Sequence, residues 1–197
     1  MSKILISGYY GFANAGDEAM LTAIIESLRQ VEKNVELTVL SGNPEDTAAK
    51  HQVCSVYRFN PLGIIRAMKD SELIISGGGS LLQDVTSKRS LLYYLSIIGL
   101  GKFFGKKVML FAQGIGPIRA KWARKLTSLV CNEADLITVR DSESAAELIE
   151  MGVKPEKITV TADSPVLNVL KPVAETSCTD ALRDPVNGVV ICLLYTS

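Results

Sequence analysis

The sequence predicts an α/β fold: a Rossmann-like parallel sheet flanked by helices. Three observations lead there. Short β-branched or Leu-rich runs alternate with longer amphipathic stretches as far as residue 170. Two of the runs, "ELIIS" and "KVMLFA", are apolar at nearly every position, as strands covered on both faces must be. Glycine-rich segments follow the runs, where such a fold turns from strand to helix.

The strands expected from this pattern are Lys3–Ser7, Val35–Leu40, Gln52–Tyr57, Glu72–Ser76, Lys107–Gln113, Leu136–Val139 and Ile158–Thr161. After the first of them, Met20, Ala23, Ile24, Ser27, Leu28 and Val31 recur at helical spacing and form one face. Ser142–Met151 is a second helix, opened by Ser142 as N-cap and stopped by Gly152. The longest apolar run, Leu91–Gly101, is glycine-broken and well short of the roughly 20 residues that span a bilayer, so it reads as a buried helix.

The pattern weakens after Pro172, where "PVAETSCTDALRDPVNG" is polar and without period. Residues 1–170 are therefore expected to form an N-terminal Rossmann-like domain, 171–187 an interdomain linker, and 188–197 the start of a second, truncated domain, with a new strand from Val189. The closing "CLLYTS", Cys192–Ser197, equals one translated frame of a transposon-end adaptor, so 192–197 are expected to be non-native and the natural protein to continue past Ile191.

Composition narrows the function classes. Of 197 residues 47% are hydrophobic and 21% charged, the balance of an ordinary soluble globular chain. Lys plus Arg equals Asp plus Glu at 21 each, which argues against a general nucleic-acid binder. "MSKILISG" carries no secretory leader. The cysteines at 54, 131, 178 and 192 form no C-x-x-C and have no partner histidines, which fits reduced thiols in the cytoplasm and neither a disulfide framework nor a metal site. His51, the only histidine, lies in a polar stretch outside every motif and reads as a solvated surface residue, so a His-based triad has no footing.

In a parallel sheet the ligand crevice lies outside the carboxyl ends of the strands. The unusual segments, "GYYGFANAGDE", "SGGGSLLQD", "AQGIGPI", "RDSES" and "TADSP", all fall there. This placement brings Gly8, Asn14, Gly16, Asp17, Gly77, Gly78, Gly79, Gln83, Asp84, Gln113, Gly114, Gly116, Arg140, Asp141 and Asp163 to one rim. "GYYGFANAG" is neither G-x-G-x-x-G nor followed by G-K-[ST], so dinucleotide and P-loop readings fail. Asp17 is either a helix N-cap or a carboxylate that faces a polyol, accepting hydrogen bonds from sugar hydroxyls or taking a proton from one. Gly77–Gly79 either line a concavity of backbone N–H groups suited to phosphate or make a tight turn against a neighbouring loop. The Gln113 amide adds a polar group beside Gly114 and Gly116. Arg140 suits a phosphate or carboxylate; Asp141 pairs with it or caps the next helix. Asp163 reads as a turn residue.

"GYYGFANAGDEAML", "ELIISGGGSLLQD", "KKVMLFAQGIGPI" and "ITVRDSESAAELIEMGV", taken in order, resemble the polysaccharide pyruvyl transferase family and, within it, the cell-surface-anchoring (CsaB-like) type. The resemblance covers Lys3 to Leu170. It implies the first half of a GT-B-like architecture, two Rossmann-like domains across a cleft. It implies transfer of pyruvyl from phosphoenolpyruvate, the donor substrate, onto two hydroxyls of a cell-wall polysaccharide precursor as a cyclic ketal, with no cofactor and no metal. In the anchoring type the acceptor contains N-acetylmannosamine and is lipid-linked at the inner face of the membrane, which implies peripheral membrane association. The pyruvyl groups help retain S-layer proteins. The family's main phosphoenolpyruvate-binding basic residues lie in the second domain, leaving the acceptor side to this half, with Asp17 catalytic and Arg140, with Arg119 beside it, the cations nearest the glycine segments. Two other readings remain open: a GT-B-type glycosyltransferase using a nucleotide sugar, and, for the chain as it stands, an inactive sugar-binding fragment.

Overall fold

Alternation along the central strands decides how the layers form. Leu5, Ile74, Val108 and Leu110 point to one side of the sheet, and Ile4, Ile6, Ile75, Met109 and Phe111 to the other; all are at most 2% exposed. A strand apolar on both faces needs helices on both, and burying each such side chain is worth about 1.5–3 kcal/mol. The computed structural model describes residues 2–84 and 87–161. Its elements are β1 (Lys3–Tyr10), α1 (Ala15–Val31), β2 (Glu36–Ser41), α2 (Pro44–His51), β3 (Cys54–Tyr57), α3 (Pro61–Asp70), β4 (Leu73–Leu82), α4 (Lys88–Phe103), β5 (Lys107–Ile115), α5 (Lys121–Glu133), β6 (Leu136–Val139), α6 (Ser142–Glu150) and β7 (Ile158–Val160).

All strand pairs are parallel, in the order β3-β2-β1-β4-β5-β6-β7. This is the Rossmann order extended by one strand. The chain reverses its winding direction between β1 and β4, so the crevice opens there, beyond the carboxyl ends. On one face α1 packs Met20, Leu21, Ile24, Ile25 and Leu28 against β1, β4 and β5. On the other, Ile64, Met68, Leu91, Leu95, Ile98, Val130 and Leu148 of α3 to α6 complete the second core.

The seven expected strands are all present, and the α/β class is as predicted. The α1 stripe is wider than expected, since Leu21 and Ile25 are buried while Ser27 and Val31 are only partly so. The run Leu91–Gly101 lies inside α4 and is largely buried, as expected. Among the described residues no helix is long and apolar enough to cross a membrane.

Three local expectations are corrected. α6 is capped by Asp141, whose Oδ1 accepts from Ser144 N at 2.7 Å, so Ser142 is its first helical residue and no cap. β4 and β5 run on through Gly77–Leu82 and Gln113–Ile115, still paired as Gly77↔Phe111 and Gly79↔Gln113, so these glycines lie in irregular strand ends, not in loops. His51 is far from solvated: its side chain is 10% exposed, with Nε2 3.7 Å from Glu18 Oε2. Its sequence neighbours are polar, but the end of α2 folds against the first turn of α1. The expected domain boundary at 170, the linker, the second-domain strand, Cys178, Cys192 and Asp163 fall outside the described residues.

Candidate functional site

The rim is built from helix starts and strand ends. At the first junction Asn14 is the N-cap of α1, accepting from Gly16 N at 3.1 Å. The cap is therefore not Asp17, which stands in the first turn of the helix. Burial raises its pKa above the ordinary aspartate range, and the like charge of Glu18 raises it further. Glu18 ties this junction together: Oε1 accepts from Gly11 N at 2.8 Å and Oε2 faces His51.

The triglycine is shaped by α1. A Cβ on Gly77 would come within 2.7 Å of Tyr10 Oη and 2.8 Å of Ile24 Cδ1, and one on Gly78 within 2.2 Å of Met20 Cγ. The space beside these two residues is filled by packed side chains, which favours tight packing over an open phosphate concavity. Gly8 belongs to the same layer, since its missing Cβ leaves room for the buried Tyr10 ring, whose hydroxyl donates to Gly77 O at 3.3 Å. Gly79, with φ +76°, looks outward: its Cβ position lies 3.0 Å from Asp17 Oδ1 and touches nothing else.

On the far side of the crevice, the Cβ position of Gly114 lies 2.7 Å from the Arg140 guanidinium and 2.8 Å from Ser80 Oγ. Arg140 therefore lies over the end of β5, held by Asp141 Oδ2 at 3.0 Å from Nε. Asp141 does both things expected of it, and its accepted N–H bond and its Arg partner hold its pKa below the ordinary range.

Asp17, Gly79, Ser80, Gly114 and Arg140 thus come together across β4 and β5, with Asp17 on the side of the switch point. A carboxylate stands at one end of the row and a guanidinium at the other. Other candidates face elsewhere. Gln113 is fully buried, donating from Nε2 to Ser76 O at 3.0 Å, so its amide lies beneath the rim. Asp84 accepts from Arg119 N and Ala120 N at 2.9–3.0 Å ahead of α5, and those bonds lower its pKa. Gln83 packs on Gly116, 2.7 Å from its Cβ position, and donates to Ser80 O. Gly16 is exposed, and its Cβ position meets only Asn14 Oδ1 at 3.5 Å. Gly16→Ala is therefore expected to raise stability slightly, by about 0.5 kcal/mol from helix propensity, as read by chemical unfolding. An activity loss in a Gly16→Ala protein of undiminished stability would show that a substrate needs that backbone bare.

Two residues at the rim escape the sequence reading. Ser80 was hidden by its glycines. Arg58 follows β3 in "VYRFNP", is 4% exposed, and sits among aromatic rings. Its signal was an arginine between two aromatics at a strand end. Among the described residues no cluster of three or more His, Cys, Asp or Glu is placed to hold a metal ion. Free Cys131 is buried, its thiol pushed up to about 12 by desolvation.

Solved structures with this fold include HepE of Anabaena in complex with UDP-glucose, at 16% identity and TM-score 0.60, covering 93% of this chain and 48% of that one. UDP-GlcNAc 2-epimerase of Neisseria meningitidis bound to UDP-GlcNAc matches at 12% identity and TM-score 0.52, covering 99% and 54%. The S. aureus MnaA–UDP structure matches at 14% and 0.50, covering 93% and 52%. At these identities the likeness is one of fold, Rossmann-like and GT-B-like, and the chain spans about half the length of the structures it matches. No curated protein matches it. The family profile described as polysaccharide pyruvyl transferase matches residues 14–177, which take in the Asp17 helix, the triglycine strand and the Arg140 junction, and the chain belongs to that family.

Proposed function

We propose that the natural protein is a ketal-forming pyruvyl transferase and that this chain supplies the acceptor side of its cleft. Residues 1–170 would be its N-terminal domain, 171–187 the linker and 188–197 the start of the second domain. The observation that carries the reading is the placing of Asp17, a carboxylate of raised pKa, beside bare Gly79 at the switch point, in a chain of this family. A carboxylate there accepts a proton from a sugar hydroxyl.

The reaction takes a proton from each of two hydroxyls, gives one to carbon and sends the other out on the departing phosphate. As the first hydroxyl oxygen bonds to C2 of phosphoenolpyruvate, its proton leaves and the methylene C3 gains one to become methyl. The C2–O bond to phosphate then breaks, phosphate departs, and the second hydroxyl captures C2, losing its proton. Asp17 is the base for an acceptor hydroxyl in this scheme. Arg140, an exposed cation across the row, attracts the phosphate or carboxylate of phosphoenolpyruvate. The acceptor is a lipid-linked cell-wall saccharide of the N-acetylmannosamine-containing kind, met at the cytoplasmic membrane face. No cofactor takes part.

The test is an assay of the full-length enzyme with phosphoenolpyruvate and a saccharide acceptor, following phosphate release and the ketal methyl by NMR. Equal amounts of phosphate and ketal are expected, and the 197-residue chain alone is expected to give neither. Turnover with a UDP-sugar and none with phosphoenolpyruvate would favour the nucleotide-sugar glycosyltransferase, a reading kept open because UDP-glucose is bound in the HepE structure.

A further inference from the structure

Among the described residues, Arg58 is the one arginine buried at the rim, and no acidic side chain pairs with it. Its backbone N donates to Ser41 O at 2.9 Å, which sets it over the carboxyl end of β2. Its side chain points in among five rings, with Cζ 4.4 Å from the Tyr93 centroid, 5.2 Å from Phe59, 5.3 Å from Phe12, 5.5 Å from Tyr94 and 5.8 Å from Tyr9. Only Nη2 has a hydrogen-bond partner, Tyr94 Oη at 3.4 Å; Nε and Nη1 are buried with none. Burial pushes the Tyr93 hydroxyl up to about 12 and raises that of Tyr94, so the ring hydroxyls stay neutral.

A desolvated guanidinium with two idle nitrogens is costly unless an anion completes it. Ring faces recover part of that cost, and the hydroxyls that Tyr93 and Tyr94 present to the guanidinium are neutral, so its charge stays unbalanced. The covering is thin on the solvent side: Tyr9 is 40% exposed, Phe12 42% and Phe59 61%. Tyr9 and Phe12 stack at 4.4 Å as one flap carried by the β1–α1 junction. Nε and Nη2 form one edge of the guanidinium and Nη1 and Nη2 the other, so a phosphate meeting either edge takes one idle nitrogen and shares Nη2 with Tyr94. Exposed aromatic faces beside them suit the apolar C–H face of a pyranose.

We infer that Arg58 is the anion anchor for a phosphate-bearing saccharide, its guanidinium taking the sugar's phosphate as the Tyr9–Phe12 flap shifts onto the sugar ring. This rests on the reading of this half as the acceptor side. It adds that the acceptor is gripped by its phosphate on the β1–β3 side of the rim, away from Arg140.

The test is NMR of the 15N-labelled 197-residue chain, following the Arg58 Nε–H signal assigned by its loss in Arg58→Lys. The chain is titrated with N-acetylglucosamine 1-phosphate, N-acetylglucosamine, inorganic phosphate and phosphoenolpyruvate. The phosphosugar is expected to move the Arg58 signal at millimolar concentration, more strongly than phosphate or phosphoenolpyruvate, and to bind Arg58→Lys about tenfold more weakly. A silent Arg58 signal with every ligand overturns the inference. A stronger response to phosphoenolpyruvate also overturns it, by making Arg58 a donor residue. If both sugars shift the Asp17 junction while Arg58 stays silent, the anchor falls and the acceptor reading stands. Should Arg58→Lys fail to fold, the wild-type titration still decides, with the signal assigned by through-bond correlation.

Discussion

Asp17→Asn in the full-length enzyme is expected to lower kcat by roughly 10²–10³-fold, the usual worth of a positioned general base. KM for phosphoenolpyruvate should change little, because the amide keeps the shape of the carboxylate and only proton transfer is lost. Stability should move the other way from activity. Asp17 has a raised pKa in the fold, so the folded state binds its proton more readily than the unfolded chain does. Its contribution to stability is therefore full below the unfolded aspartate value and is lost as pH rises through the raised folded value. At neutral pH the charged carboxylate is a mild burden, and the neutral amide of the Asp17→Asn variant relieves it. A variant that loses activity while unfolding at the same or higher denaturant concentration matches a base; one that loses both in step would make Asp17 a packing residue. The acid limb of kcat against pH follows from the same shift: it lies above the ordinary aspartate range, and Glu18→Gln should move it to lower pH by removing the like charge.

How much of this was legible in the sequence depends on what each residue answers to. The strands of "ELIIS" and "KVMLFA" were plain because burial on both faces leaves few alternatives. Gathering the glycine segments on one edge followed from parallel topology alone. What the sequence did not carry was direction. Gly77 and Gly79 are two positions apart in one strand, yet one is filled by α1 and the other opens to Asp17. That difference is set by where Met20 and Ile24 fall once the helix docks. Asp84 was expected at the same rim as Asp17, as a substrate-binding residue, and its carboxylate serves two backbone N–H groups ahead of α5. His51 and Arg58 stand outside the motifs, and both are buried by elements distant in sequence: His51 by the first turn of α1, Arg58 by rings from β1 and α4. Contacts of that kind leave no periodic trace.

The triglycine yields the largest stability effect. Gly78→Ala is expected to cost roughly 2–4 kcal/mol, combining left-handed backbone strain at φ +40° with a Cβ forced to within 2.2 Å of Met20 Cγ. Met20 is 7% exposed and belongs to the α1 core, so its inner carbons cannot swing clear without moving the helix. A double-mutant cycle separates the two causes. Met20→Ala removes the clashing atoms, so in that background Gly78→Ala should cost only the backbone strain, about 1–2 kcal/mol. Strict additivity in urea unfolding would mean that α1 does not press on this glycine. Gly79→Ala supplies the contrast. Its φ of +76° carries similar strain, but its Cβ would press on Asp17 Oδ1 instead of the core. Its stability loss should therefore stay near that backbone strain, while activity should fall much further if Asp17 is the proposed base, because a displaced carboxylate would no longer meet the acceptor hydroxyl. Adjacent glycines would then separate into one that seats the helix and one that frees the base.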